Sequence, residues 1–246
     1  MLRTILFDLD GTLMETAPDI ADAINDTLQR LGHPPADEDL VRGWIGDGAR
    51  ALLDKALLHA GAAPGASAAA WPGFGADYAR RCGGRSWLHA GVRRMLQRLR
   101  LAGLHLVLLT NKETQFAQRL LVLHGLLAEF DLVVAGDTLP IKKPDPGVVI
   151  HALHSLGCSA DEALLVGDST TDVRTARAAG IRVWLVRHGY PQGSLTGADA
   201  PDGFITHFDQ FEPHQLPRAA WANTTATAGH ARLGAANTAQ NPAPNS

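Results

Sequence analysis

The first predicted strand of the chain ends in acidic residues, and this feature constrains the fold most. The run at 4–7 is largely apolar and leads into Asp8, Asp10 and a glycine turn at Gly11. Such a run, bounded by glycine, predicts a buried strand. A buried carboxylate is costly unless it is paired or binds a metal. In open α/β sheets, ligands bind at the carboxyl ends of the strands. We therefore expect Asp8 and Asp10 to act on a ligand together with a cation, although aspartates also occur in simple turns.

From Gly91 onward the chain alternates between helical and strand patterns. We predict strands at 104–109, 132–135, 163–166, 183–186 and 204–205. Helices are predicted at 92–101, 113–124, 146–156 and 172–179. Repeating βα units of this kind form a parallel sheet with helices on both faces. The predicted fold class is therefore α/β, with a Rossmann-like parallel-sheet core.

Residues 15–85, which follow the first predicted strand, show no strand pattern. We predict helices at 17–31, 49–60 and 74–82, a short helix from 37, and an alanine-rich link at 61–70. We interpret residues 15–85 as an all-helical cap domain inserted into a core made of residues 1–14 and 86–215. Residues 216–246 contain few large apolar side chains, so we predict a disordered tail there.

Composition narrows the range of partners. The chain has 246 residues, of which 46% are hydrophobic, enough for a full core. Its net charge is -3 and it has no long basic run, so nucleic acid and anionic membranes are not expected partners. No apolar run approaches the ~20 residues of a membrane span, and no signal peptide is visible. Cys82 and Cys158 lack metal-site spacing. We expect a cytoplasmic monomer or small homo-oligomer.

Side chains after the later strands complete a candidate site. Thr110 and Asn111 follow the second predicted strand, Lys143 lies beyond the third, and Asp168 follows the fourth. Taken singly, each is more typical of a turn or a helix cap. The carboxyl ends of parallel strands share one edge, so we expect these side chains to converge. Carboxylates that hold Mg²⁺, with a lysine and a hydroxyl, suit phosphoryl transfer. One aspartate can then attack phosphorus while another moves the proton.

These residues make the chain similar to the haloacid dehalogenase-like hydrolase superfamily. The four motifs are Asp8-Leu9-Asp10-Gly11-Thr12, Thr110-Asn111, Lys143 and Gly167-Asp168-Ser169-Thr170-Thr171-Asp172. The resemblance covers about residues 3–210. It implies that Asp8 is the nucleophile and Asp10 the acid/base. It also implies Mg²⁺ ligation by Asp8, the Asp10 main-chain carbonyl and Asp168. Phosphoryl binding is implied for Thr110, Asn111 and Lys143, and Asp172 would support Lys143 or the waters of the metal.

Within the superfamily the chain is most similar to the bacterial phosphoglycolate phosphatases. The likeness is carried by residues 17–20, 44–49, 136–146 and 189–193. It implies hydrolysis of 2-phosphoglycolate. The alternative is another sugar phosphate, such as N-acetylmuramate 6-phosphate, or a nucleotide. A non-enzymatic scaffold on the same fold would be expected to have lost Asp8, Asp10 or Lys143, and all three are present.

The predicted cap contains a second candidate site. Gly46 and Gly48 free backbone amides at the start of a predicted helix, and Arg50 lies in its first turn. Such a helix start binds anions, which predicts recognition of a small carboxylate there. A purely structural turn between cap helices is an equally good interpretation. The chain also departs from the family pattern at Glu15, where aspartate is usual.

Overall fold

The structure is a computed structural model that describes residues 1–190 and 195–212. In this part of the chain the strands are β1 (Thr4–Phe7), β2 (Met14–Glu15), β3 (Trp87–Leu88), β4 (His105–Leu109), β5 (Leu132–Val134), β6 (Ala163–Gly167), β7 (Arg182–Val186) and β8 (Gly203–Ile205). The α-helices are α1 (Ala17–Arg30), α2 (Glu38–Arg42), α3 (Ala49–His59), α4 (Ala66–Arg81), α5 (Val92–Leu101), α6 (Thr114–Leu123), α7 (Gly147–Leu156) and α8 (Thr170–Ala179). The predicted disordered tail, residues 216–246, lies outside the described residues.

Strand β1 lies inside a six-stranded parallel sheet with the order β5-β4-β1-β6-β7-β8. Its last residue, Phe7, lies level with Leu108 of β4 and Val166 of β6. The residues that follow these three strands therefore emerge at one edge of the sheet. The chain order reverses at β1, which is where open α/β sheets bind ligands. The predicted parallel α/β core is confirmed.

Apolar side chains on the sheet and its helices form the core beneath that edge. Leu6, Val107 and Leu165 of the central strands are buried against Val149 of α7 and Val173 of α8. Continuous apolar runs, rather than alternating ones, are typical of parallel strands that are buried on both faces. This packing gives the residues after β1, β4 and β6 a rigid base.

Helices α1 to α4 occupy the predicted insertion, and a two-stranded sheet lies at its base. Met14 of β2 pairs with Leu88 of β3, and Glu15 pairs with Trp87, in antiparallel register. The two connections between the helices and the core therefore run side by side. The sequence predicted neither strand, because two residues are too few to show a periodic pattern. The domain boundaries at 15 and 85 stay a prediction.

One predicted link proved to be helical. The sequence predicts a link between two helices at 61–70, but α4 begins at Ala66 and continues through Pro72. Alanine has the highest helix propensity, which favours the early start. Phe74 and Tyr78 are buried, and such tertiary packing supplies most helical stability in proteins. That burial offsets the hydrogen bond lost at the proline.

Membrane insertion through a helix has no support in the described ranges 1–190 and 195–212. No helix there is both long enough and apolar enough to cross a bilayer.

Asp77 of α4 forms hydrogen bonds with residues of α1, and its substitution tests this packing. Its buried carboxylate accepts hydrogen bonds from Thr27 (2.7 Å) and Arg30 (2.9 Å), and it also pairs with Arg80. Burial alone would raise the pKa of Asp77, but these hydrogen bonds outweigh it and hold the pKa below its ordinary value of 3.8. We expect Asp77→Asn to lower the free energy of unfolding at pH 7 by about 1–3 kcal/mol, measured by urea denaturation.

A matched control and a pH series sharpen this test. Asp54→Asn removes an exposed carboxylate from α3 and should change the free energy of unfolding by less than about 0.5 kcal/mol. Because the folded pKa of Asp77 is depressed, its contribution is present above pH 3.8 and is lost as the pH falls further. The difference between wild type and Asp77→Asn should therefore shrink in acid. Equal stability of the two proteins at pH 7 would contradict the assignment.

Candidate active site

Lys143 lies between two carboxylates at the carboxyl edge of the sheet. Its Nζ is 2.9 Å from Oδ1 of Asp8 and 2.7 Å from Oδ1 of Asp172. All three side chains are buried. Asp8 directly follows β1, and Asp172 lies in the first turn of α8. Two roles are predicted for Asp172, support of Lys143 or of the waters of a metal, and the geometry places it against Lys143.

Asp168, directly after β6, completes an acidic cluster with Asp8 and Asp172. One carboxylate oxygen from each residue lies within 4.8 Å of the others. Asp168 accepts a hydrogen bond from the backbone N–H of Tyr190 at 2.6 Å. No lysine or arginine in the described part of the chain forms an ion pair with it. One lysine offsets only part of the charge of these three buried carboxylates. The cluster therefore has the oxygen donors and the net negative charge that suit a divalent cation.

The electrostatics of the cluster follow from burial and from Lys143. Burial raises the pKa of Asp8 to about 6 in spite of the nearby ammonium. Burial, together with the charges of Asp172 and Asp8, also raises the pKa of Asp168 well above its ordinary value. Asp172 is as buried, yet Lys143 and hydrogen bonds from Ser169 lower its pKa. Asp172 is therefore the principal counter-ion of Lys143, and burial leaves Asp8 and Asp168 with less compensation from positive charge.

The side chain of Asp10 points to a different partner, which the sequence analysis missed. Lys112 places its Nζ 2.8 Å and 3.1 Å from the two carboxylate oxygens of Asp10. The Thr16 hydroxyl donates to Oδ1 of the same carboxylate at 2.5 Å. Although burial lowers the pKa of Lys112, the charge of Asp10 outweighs it and the pKa is raised. Lys112 directly follows the predicted Thr110-Asn111 motif, so its position along the chain was the available signal.

The other predicted phosphate-binding residues differ in what their side chains do. Thr110 is buried beside the site, and its hydroxyl accepts a hydrogen bond from the backbone N–H of Lys112 at 3.2 Å. The Asn111 amide donates to the carbonyls of Gly46 and Lys143, each at 3.0 Å, and accepts from the Lys143 N–H at 2.9 Å. Because these backbone groups use both ends of the Asn111 side chain, a phosphate contact would fall to its main chain.

The loop before α3 lies over the site. Gly46 and Gly48 line the cavity next to Asp8, and Lys142 donates to the Asp47 carbonyl at 2.6 Å. Arg50 is elsewhere: its guanidinium lies over the Trp71 ring, 4.3 Å from the ring centroid. The two predicted glycines are therefore at the cavity, while the predicted arginine is stacked away from it.

The cavity between this loop and the sheet edge has an acidic end and an apolar wall. It measures about 40 Å³ and is lined at one end by Asp8, Asp10 and Thr110. Apolar and aromatic side chains line the same cavity: Ile20, Ile45, Leu52, Phe74 and Tyr78. Such walls exclude water and strengthen charge interactions inside the site.

A family model described as haloacid dehalogenase-like hydrolase matches residues 5–186, well over half of the chain. The chain belongs to the haloacid dehalogenase-like hydrolases. The matched range includes all four motifs identified in the sequence and every residue of the acidic cluster.

Individual relatives indicate which kind of hydrolase this chain is. A phosphoglycolate phosphatase of Yersinia pseudotuberculosis is 38% identical over 214 residues, which cover 86% of this chain and 92% of that protein. One from Pseudomonas putida is 37% identical and covers 81% of this chain and 74% of that protein. The crystal structure of a predicted phosphoglycolate phosphatase from Haemophilus somnus has a TM-score of 0.80 and 31% identity, covering 84% of this chain and 95% of that chain. This chain is therefore a phosphatase of the haloacid dehalogenase-like hydrolases.

Tyr190 connects the acidic cluster to the base of the helical insertion. Its hydroxyl accepts hydrogen bonds from the N–H groups of Thr16 (3.0 Å) and Ala17 (3.2 Å) and donates to Glu15. Glu15 in turn pairs with Arg42 of α2 at 2.5 Å. The resemblance had singled out residues 189–193 without assigning Tyr190 a contact, because its partners are about 175 positions away along the chain.

We expect Tyr190→Phe to destabilise the protein. Removal of the hydroxyl leaves the buried Thr16 N–H without its acceptor and takes one donor from the buried Glu15 carboxylate, while Ala17 keeps its bond to Glu15. We expect a cost of about 1–3 kcal/mol in the free energy of unfolding. The matched control is Tyr78→Phe, since the Tyr78 hydroxyl is buried without a hydrogen-bond partner among the described residues. That control should be neutral or stabilising. Equal effects of the two substitutions in urea denaturation would refute the role given to the Tyr190 hydroxyl.

Proposed function

We propose that this enzyme hydrolyses 2-phosphoglycolate to glycolate and phosphate, with Mg²⁺ and through a phosphoaspartate on Asp8. The observation that carries the proposal is the convergence of Asp8, Lys143 and Asp168 at one sheet edge beneath a small cavity. Relatives with that activity in their names cover more than four fifths of the chain.

The acidic cluster fits a magnesium ion. Its donors are carboxylate oxygens, the ligand type that Mg²⁺ prefers. Since Lys143 is the counter-ion of Asp172, Asp8 and Asp168 are the side chains that would hold the ion, with the main-chain carbonyl of Asp10 as the predicted third ligand. When bound, Mg²⁺ supplies positive charge that offsets the phosphoryl oxygens and the acidic residues.

Separate residues carry out the attack on phosphorus, the proton transfers and the binding of the phosphoryl group. A carboxylate oxygen of Asp8 attacks phosphorus while the bond from phosphorus to the leaving oxygen breaks. Asp10 donates a proton to that oxygen, which leaves as the hydroxyl of glycolate. Asp10 then takes a proton from the water that attacks the phosphoaspartate, which releases phosphate and restores Asp8. Lys143 and Thr110 hold the phosphoryl oxygens during both steps.

The size of the cavity favours a small leaving group. A volume of about 40 Å³ has room for roughly three waters. Such a cavity favours a compact ester over N-acetylmuramate 6-phosphate or a nucleotide, whose leaving groups are several times larger than glycolate. A panel of phosphate monoesters, compared by kcat/KM with Mg²⁺ present, tests this ranking. A preference for a nucleotide or for N-acetylmuramate 6-phosphate would support the alternative substrate.

Asp8→Asn should abolish turnover. An amide cannot replace the attacking carboxylate, so kcat should fall by at least about 10³-fold. The circular dichroism spectrum should stay unchanged, because asparagine is isosteric with aspartate. Asp54→Asn on the surface of α3 is the control and should keep full activity. Near-normal hydrolysis of an aryl phosphate by Asp8→Asn would falsify the nucleophile assignment.

Chelation and one further variant test the metal. EDTA should stop hydrolysis and added Mg²⁺ should restore it. Asp168→Asn should weaken Mn²⁺ binding, followed by electron paramagnetic resonance, by at least about tenfold, because one of the two carboxylate ligands is lost. Asp199→Asn, which disturbs only an ion pair with Arg174, should bind Mn²⁺ as the wild type does. Full activity in EDTA, or equal Mn²⁺ binding by both variants, would contradict the proposed site.

A further inference from the structure

Lys112 is a buried cation in the cavity to which the reaction steps above give no role. Its side chain is 3% exposed, and its Nζ lies 5.0 Å from the centroid of the Tyr78 ring. Among the described residues that line the cavity, Lys112 is the only cation. Removing an ammonium from water is expensive, and here the cost is offset by the ion pair with Asp10 and by the aromatic face.

This ion pair involves the proposed acid/base and restrains it. Lys112 contacts both carboxylate oxygens of Asp10, and Thr16 contacts one of them. A carboxylate held in this way points at Lys112 rather than at a leaving group. For Asp10 to serve the leaving oxygen, Lys112 needs another anionic partner, since a buried ammonium without one is strongly disfavoured.

The position of Lys112 indicates where that other anion lies. Its backbone N–H donates to the Thr110 hydroxyl at 3.2 Å, so the lysine is anchored beside the proposed phosphoryl-binding residue. The ammonium faces the cavity between Asp10 and the apolar wall around Tyr78. A negative group close to the phosphate on the leaving-group side of the substrate would reach it. A carboxylate one carbon from the ester oxygen meets this requirement.

We propose that Lys112 binds the carboxylate of the substrate and thereby releases Asp10 to the leaving oxygen. This inference rests on the proposed function and identifies the feature of the substrate that the site selects. Lys112 exchanges one carboxylate partner for another, so its charge stays paired. The released Asp10 carboxylate takes up a proton from water and then donates it to the leaving oxygen. A neutral leaving group cannot make this exchange and leaves Asp10 bound to Lys112. The residue is therefore a determinant of specificity for small phosphate esters that carry an acid.

The test compares 2-phosphoglycolate with the phosphate ester of glycolamide, a neutral isostere. We expect the wild type to prefer 2-phosphoglycolate by at least about tenfold in kcat/KM. Lys112→Met keeps the length of the side chain without its charge and should reduce this preference to about one. Lys112→Arg should retain a clear preference, because the charge remains. Arg3→Met is the control: that exposed cation, directly before β1, pairs with Glu162 away from the cavity, and the preference should equal that of the wild type.

A ratio of two substrates separates specificity from a general structural defect, which lowers both rates together. Equal kcat/KM for the two esters in the wild type, or an undiminished preference in Lys112→Met, would overturn the inference while leaving the phosphatase proposal intact. Failure of the wild type to hydrolyse any phosphate ester with Mg²⁺ would overturn the proposed function itself. If Lys112→Met does not fold, the wild-type preference and its retention in Lys112→Arg decide the matter.

Discussion

The charges around Lys143 determine which ligands the carboxyl edge of the sheet can accept. One ammonium lies between Asp8 and Asp172, while Asp168 has no basic side chain paired with it in the described residues. Because β1 and β6 are neighbouring parallel strands, Asp8 and Asp168 cannot move apart without disrupting the sheet. The fold therefore enforces an excess of negative charge in a buried place. Such a place repels an anionic group, and under the proposed function a bound cation would offset that repulsion.

Much of the fold was predictable because its strands are continuous apolar runs separated by amphipathic helices. Buried parallel strands give that signal over four or five residues, as in β4 and β6. The pair β2 and β3 gave none, since each has two residues and depends on its partner across the insertion. Helix α4 was only half predicted, because its glycines and Pro72 obscure the helical pattern that packing against α1 stabilises.

The site was predictable to the extent that its residues directly follow strands. Asp8, Thr110 and Asp168 meet this condition, and the structure brings them to one edge. The contacts of Lys112 and Tyr190 were not predictable, because each depends on partners about 100 or more positions away along the chain. A sequence motif identifies which residue types are present, but only the fold decides which oxygen each donor meets.

Asn111 shows how the fold determines the spacing of the two cations. Its side chain is bonded to both backbone groups of Lys143 and to the carbonyl of Gly46, while its own main chain leads directly into Lys112. The Lys143 ammonium faces Asp8, and the Lys112 ammonium faces Asp10. One buried amide thus connects the segment that carries Lys143, the segment that carries Lys112 and the loop of Gly46 that covers the cavity. Because this connection is made of hydrogen bonds to the backbone, the main-chain positions of Lys112 and Lys143 are held relative to each other. Under the proposed function, two cations placed in this way would distinguish substrates by the separation of their two negative groups.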